Sequence, residues 1–309
     1  MAEGSGLDGE RDPVEDSRMT LGEHLSELRT RLIRASAVLV VAFVVLYTFR
    51  LQVIEFIDGP YVRAAEQLNV ELAEIRREQV AEDPDKTWRD YFQTEEMERL
   101  IRGEAIDPKP TSFKAGGPFL VKIKACFWLS LFIAGPVFLW EIWMFVAAGL
   151  YKAERKVVYT YFPTSLTLFL TGVVFGFVVL VPAAIYFLQR DGLGLDDIPR
   201  TMELDQYMQF LKSLSLALGV VFQLPVFQVA LSKMGAVAPR TYAKFRGHMA
   251  IVALIVAAII TPPDPVTQIM LAGPAIVLWE VGIWLSRLVW TEPVASEVDE
   301  LEAGQGASA

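Results

Sequence analysis

Few residues in this chain have the types and spacing that covalent or metal chemistry needs. Its 309 residues hold one cysteine, Cys126, and two histidines, His24 and His248. A single thiol excludes an intrachain disulfide framework, a Cys-x-x-Cys redox pair and any multi-cysteine zinc or iron–sulfur site. Neither histidine belongs to a metal motif, so no metal and no cofactor is expected. The apolar stretches hold no Ser/His, His-Glu-x-x-His or paired-Asp constellation, which argues against an intramembrane enzyme. Acidic residues outnumber basic ones 37 to 28, for a net charge of −9, which argues against a nucleic-acid binder. What remains is recognition by charge and hydrogen bonding. Its candidates are the carboxylates Glu27 and Glu154 beside apolar runs and the glutamine Gln223 mid-way along one. Glu141 and Glu280, near the predicted cytoplasmic ends of their spans, read as interfacial charges.

The elements that must position these groups follow from where charge is absent. Residues 1–18, 51–117 and 291–309 together carry −15, which leaves +6 for the rest of the chain. Uncharged runs occupy residues 35–49, 125–140, 142–151, 157–188, 213–232, 249–263 and 266–279. A bilayer core of about 30 Å takes about 20 apolar residues of helix, because backbone polar groups in lipid must be satisfied internally. The pattern predicts an all-α polytopic membrane protein with six transmembrane helices, at about 32–50, 119–148, 157–188, 207–232, 248–261 and 267–287. Its fifth and sixth spans are expected to be short. Pro136 and Pro225 are expected to kink their helices, giving a kinked, concave bundle. The membrane domain then runs over 19–290, between acidic tails at 1–18 and 291–309 that read as disordered. No cleavable signal peptide is evident at the start.

Short-loop basic residues predict the orientation. Eleven Lys and Arg residues (29, 31, 34, 152, 155, 156, 233, 240, 244, 246 and 287) fall on one side, against Arg190 and Arg200 on the other. Positive charge marks the cytoplasmic side, so both termini are predicted to be cytoplasmic. Alternation places the long loop 51–117 outside. Within it, 62–79 and 88–101 are expected to form surface helices with salt-bridged faces.

Six stretches carry a resemblance: His24-Leu-Ser-Glu-Leu-Arg-Thr-Arg31, Pro118-Phe-Leu-Val-Lys-Ile-Lys124, Gly149-Leu-Tyr-Lys-Ala-Glu-Arg155, Phe222-Gln-Leu-Pro225, Thr261-Pro-Pro-Asp264 with Gln268, and Trp279-Glu-Val-Gly-Ile-Trp-Leu-Ser-Arg287. In that order and on that topology, the chain resembles TatC, the signal-peptide receptor subunit of the twin-arginine protein translocase. The resemblance covers about residues 19–60 and 112–290. It implies transport of folded proteins across the bacterial cytoplasmic membrane, driven by proton-motive force. It also implies the single-span partners TatA and TatB, twin-arginine signal peptides as ligands, and self-association in a multi-subunit receptor complex.

Residue by residue, the resemblance makes Glu27 and Glu154 the site for the arginine pair, since a carboxylate accepts two parallel bonds from a guanidinium. The plainer readings are an i,i+4 helix pair with Arg31, worth about 0.3 kcal/mol, for Glu27, and a solvated loop charge for Glu154. Arg29 is a candidate to hold these carboxylates ionised and oriented, or else a positive-inside anchor. Phe145, Leu150 and Tyr151 match positions linked to signal binding, or form an interfacial collar. Thr261 and Gln268 match a polar cluster that docks partner helices; capping and turn chemistry, with Asp264 and Thr267 at the start of the sixth helix, is the alternative.

Three departures stand out. Ala148 replaces the family's usual proline. Gln223 stands where many members carry glutamate, which removes a possible charge and argues against a proton-linked role. A glutamine can draw water into a concave surface or make an interhelical hydrogen bond. The first external loop is about 40 residues longer than usual. The competing class is a small-molecule secondary transporter, which predicts ionisable groups or broken helices at the bilayer midplane.

Overall fold

In the computed structural model the described residues are 21–82, 117–150, 155–191, 203–261 and 264–290. They form an all-helical fold, as the apolar runs predict. Five helical stretches are long and apolar enough to cross a bilayer: His24–Thr48, Phe119–Ala148, Arg155–Leu188, Leu204–Lys233 and Pro265–Val289. Arg246–Ile260 is apolar but shorter. Outward faces carry bare aliphatic residues, such as Val40, Val41, Val44 and Val45 on the first helix. Surfaces of that kind suit lipid rather than water.

Helix α1 (Leu21–Thr48) packs along α3 (Gly117–Ala148). One turn residue, Phe49, joins α1 to α2 (Arg50–Glu82), which passes through Pro60 unbroken. Val53, Ile57, Tyr61, Ala64, Ala65 and Leu68 of α2 are all buried. Their three- and four-residue spacing puts them on one helical face. That face meets Val121 and Ala125 of α3 and residues 181–185 of the third span in one apolar core. The expectation of a surface helix over 62–79 is therefore corrected. The segment is helical, but over 62–68 its inner face is core, because a charge count sees the outer face and not the apolar stripe. The expected helix over 88–101 lies outside the described residues.

The third span comprises α4 (Arg155–Phe175), a π-helical turn (Gly176–Leu180) and α5 (Val181–Asp191). The π turn precedes Pro182, whose ring would clash with a carbonyl four residues back in a regular helix. It also coincides with close packing against α6 (Leu204–Val221). A Cβ on Gly172 would sit 2.7 Å from the Leu218 carbonyl oxygen, and one on Gly176 would sit 2.8 Å from Ser215 Cα. Gly172 and Gly176 face Ser215 and Leu218 as a small-residue seam, which lets two backbones approach in a membrane.

The fourth span breaks after Val221 at Phe222–Gln223 and resumes as α7 (Leu224–Lys233), with Pro225 in its first turn. Pro136, by contrast, lies inside an uninterrupted α3. Gly235, at φ 76°, ends α7 in the left-handed conformation usual just past a helix C-terminus. Then come α8 (Pro239–Lys244), α9 (Arg246–Ile260) and α10 (Pro265–Val289). The 15 residues of α9 give about 22 Å of helix, less than the bilayer core.

The 25 residues of α10 give about 37 Å, so the expected short sixth span is corrected. Glu280 ended the uncharged run there, but its carboxylate pairs with Arg246 at 2.8 Å and the helix continues. A second core cluster, with Trp143, Val158, Phe169 and Val226 at its centre, joins α3, α4 and α7 near the α3–α4 connection.

Candidate functional site

Glu27 and Arg31 are one turn apart on α1, and Glu141 and Phe145 are one turn apart on α3. Because the two helices run antiparallel, these turns face each other. Arg31 bonds both carboxylates: its Nη2 donates to Glu27 Oε1, and its Nη1 donates to Glu141 Oε2 at 3.0 Å. Arg31 and Glu141 side chains are 15% and 13% exposed, whereas Glu27 is 32% exposed. Arg31 Nε is buried without a hydrogen-bond partner. One layer toward the α1 N-terminus, the His24 and Phe145 rings stack with centroids 4.2 Å apart and planes at 27°. The result is a partly buried guanidinium shared by two acids, with the more open acid beside an aromatic shelf.

Of the residues named from sequence, Glu27 and Phe145 are brought together here. Arg29 is exposed and bonds none of the described carboxylates; the guanidinium that orients Glu27 is Arg31 instead. Leu150 packs against the second core cluster, and its carbonyl accepts from Arg155 Nε at 3.3 Å. Tyr151 and Glu154 lie outside the described residues. Glu141 is the member of this cluster that sequence reasoning passed over as an interfacial charge. Its signal was weak, a lone carboxylate between two uncharged runs, and its partner is 110 positions away.

Deeper in the bundle, Gln223 is buried and both its amide atoms are hydrogen-bonded. Its Nε2 donates to the Ser165 carbonyl at 3.1 Å, and its Oε1 accepts from the Ser165 hydroxyl. Ser165 Oγ in turn accepts from Trp143 Nε1 at 2.8 Å. This neutral chain ties the second, third and fourth spans together. Gln228, five residues on, is also buried, but neither amide atom has a partner, and Trp279 Nε1 and Ser286 Oγ are likewise unpaired. Its amide fills the space a side chain would take at Gly282, where a Cβ would come within 1.6 Å of Gln228 Oε1. Nearby, the Tyr242 hydroxyl donates to the Gln228 carbonyl at 3.4 Å, and burial pushes the phenol up, partly offset by the Ser232 hydroxyl beside it.

At the opposite end, the α9–α10 turn is held by its own polar groups. Thr261 Oγ1 donates to the Ala257 carbonyl at 2.9 Å, and Gln268 Nε2 reaches across to the Leu254 carbonyl at 3.0 Å. Asp264 caps α10 by accepting from the Thr267 amide at 2.8 Å and from its hydroxyl. Among the described residues no three His, Cys, Asp or Glu side chains gather as metal ligands.

Known proteins match the chain along most of its length. The sequence profile of the family described as Sec-independent protein translocase protein (TatC) matches residues 23–274. TatC of Halothiobacillus neapolitanus is 31% identical over 300 residues, covering 96% of this chain and 70% of that protein. TatCy of Bacillus subtilis is 29% identical, covering 94% and 97%, and TatC of Escherichia coli is 28% identical, covering 89% and 90%. A crystal structure of a twin arginine translocase receptor, TatC, superposes with a TM-score of 0.64 at 26% identity, over 86% of this chain and 99% of that one. The chain therefore belongs to the TatC family, as a multi-pass membrane protein and a component of the Sec-independent, or Tat, protein translocase.

Proposed function

We propose that this chain is the receptor subunit of that translocase, and that Glu27 and Glu154 accept the paired arginines of an N-terminal signal. The observation that carries the reading is Glu27, a carboxylate that already pairs with one guanidinium, Arg31, and is left one-third exposed beside the His24–Phe145 stack. The same end of the bundle holds the start of α4, one residue past Glu154. Orientation follows the basic residues: both termini face the cytoplasm of a bacterial inner membrane, with six spans counting α9. The α9–α10 turn, with Thr261 and Gln268, receives the helices of TatA and TatB, and several copies assemble into one receptor complex. Proton-motive force drives the transport of folded cargo, and the chain binds without performing covalent chemistry. The polar chain at Gln223 is neutral and paired, which gives a transporter's coupling ion no titratable carrier there.

Retention of a synthetic Arg-Arg signal peptide by the purified protein tests this reading. Wild type is expected to hold it and to release the Lys-Lys version, because an ammonium cannot reproduce the bidentate geometry. Glu27→Ala and Glu154→Ala are each expected to lose retention about tenfold or more. Undiminished binding in both variants would defeat the site.

The short α9 supports a second element of the reading, local thinning of the bilayer at the translocation site. Adding one turn to α9 is expected to reduce export of a folded reporter. Full export with the longer helix would sink that idea.

A further inference from the structure

On the receptor reading, an arriving guanidinium meets a Glu27 that is already paired, and must displace one that the protein itself supplies. Displacement from a single-acid partner would strand a charge that is 15% exposed, at a cost of several-fold to many-fold in affinity. Arg31 is not held by a single acid. Its two terminal nitrogens divide between Glu27, one turn back on its own helix, and Glu141 on α3.

We infer that Arg31 is an internal stand-in for the incoming arginine, and that Glu141 is a positioning residue that keeps Arg31 paired while Glu27 is handed to the signal. This inference rests on the receptor reading. The exposures agree with the division of roles. Glu141, 13% exposed, is the retained partner, and Glu27, 32% exposed, is the one a ligand can reach. The unpartnered Arg31 Nε leaves a third donor that can turn toward Glu141 when Nη2 is released. No bond is made or broken beyond hydrogen bonds, and the number of ion pairs is unchanged on binding.

The test measures the affinity of the full chain, in detergent, for Arg-Arg and Lys-Lys signal peptides. Lack of Arg-Arg preference in wild type would remove the receptor reading itself. With that preference present, Glu141→Gln is expected to weaken Arg-Arg binding about tenfold, since Arg31 would then be stranded. Arg31→Met is expected to tighten binding, because the internal competitor is gone. In the Arg31→Met background, Glu141→Gln is expected to change affinity by no more than about twofold, since Glu141 acts through Arg31. That double variant carries no stranded charge, so it also serves if Glu141→Gln alone does not fold. Unchanged affinity in Glu141→Gln, or a tenfold loss in the Arg31→Met background, would overturn the inference and leave the receptor reading standing.

Discussion

Ser165 occupies an interior position where one hydroxyl serves two neighbours. It donates to Gln223 and accepts from Trp143, so three spans share one small polar group. Ser165→Ala leaves an indole N–H and an amide oxygen unpaired inside the bundle, where water is scarce. The expected cost is about 1–2 kcal/mol, read as a lower thermal midpoint in detergent, while peptide retention stays unchanged. A loss of retention with no change in midpoint would instead place this chain of bonds in the recognition step. That Gln223 is a hydrogen-bonding residue was legible from its type and its place in an apolar run. That Ser165 and Trp143 complete the network was not, because the serine lies 58 positions away.

Glycine spacing decides how the third span meets the fourth. A side chain at Gly176 points at the Ser215 backbone 2.8 Å away, and backbone cannot rotate aside as a side-chain tip can. Gly176→Val is therefore expected to force the π-helical turn and α6 apart and to lose most folded protein, read by size-exclusion recovery. Gly273, inside α10, has open space where a methyl group would sit, with nothing within 4 Å. Gly273→Ala is expected to be neutral or stabilising by about 0.5–1 kcal/mol, measured as a thermal midpoint in detergent. The helices themselves were readable from uncharged length. Their true ends were not always so, since Glu280 interrupts the α10 run in sequence but is neutralised by Arg246.

At the scale of the whole molecule, alternating helices set two ends apart, and the end at the α3–α4 and α7–α9 connections carries Arg155, Lys156, Lys233, Arg240, Lys244 and Arg246. Arg240 is exposed in α8 at one end, and Glu66 is exposed on α2 at the other. With Cys126→Ala as background, a membrane-impermeant maleimide applied to intact cells is expected to label Glu66→Cys but not Arg240→Cys. The reverse pattern would invert the orientation. Helix α2 belongs to the body of the molecule, because its inner stripe from Val53 to Leu68 is part of the main core. The enlarged loop is thus anchored by burial through residues 53–68.

Composition and spacing alone determined the class of this protein. Uncharged runs long enough to satisfy their own backbone in lipid dictate membrane helices, and six ordered motifs point to one family. A near absence of cysteine and histidine leaves charge recognition as its available chemistry. Local sequence also located Glu27 and its helical partner, since an i,i+4 relation is geometry within one element. Only the tertiary structure decided that Glu141 shares Arg31, that α2 lines the core, and that Gly176 meets Ser215. Each depends on which helices are neighbours and at what register. Contacts of that kind join positions tens to more than a hundred residues apart, and no periodicity along the chain encodes them.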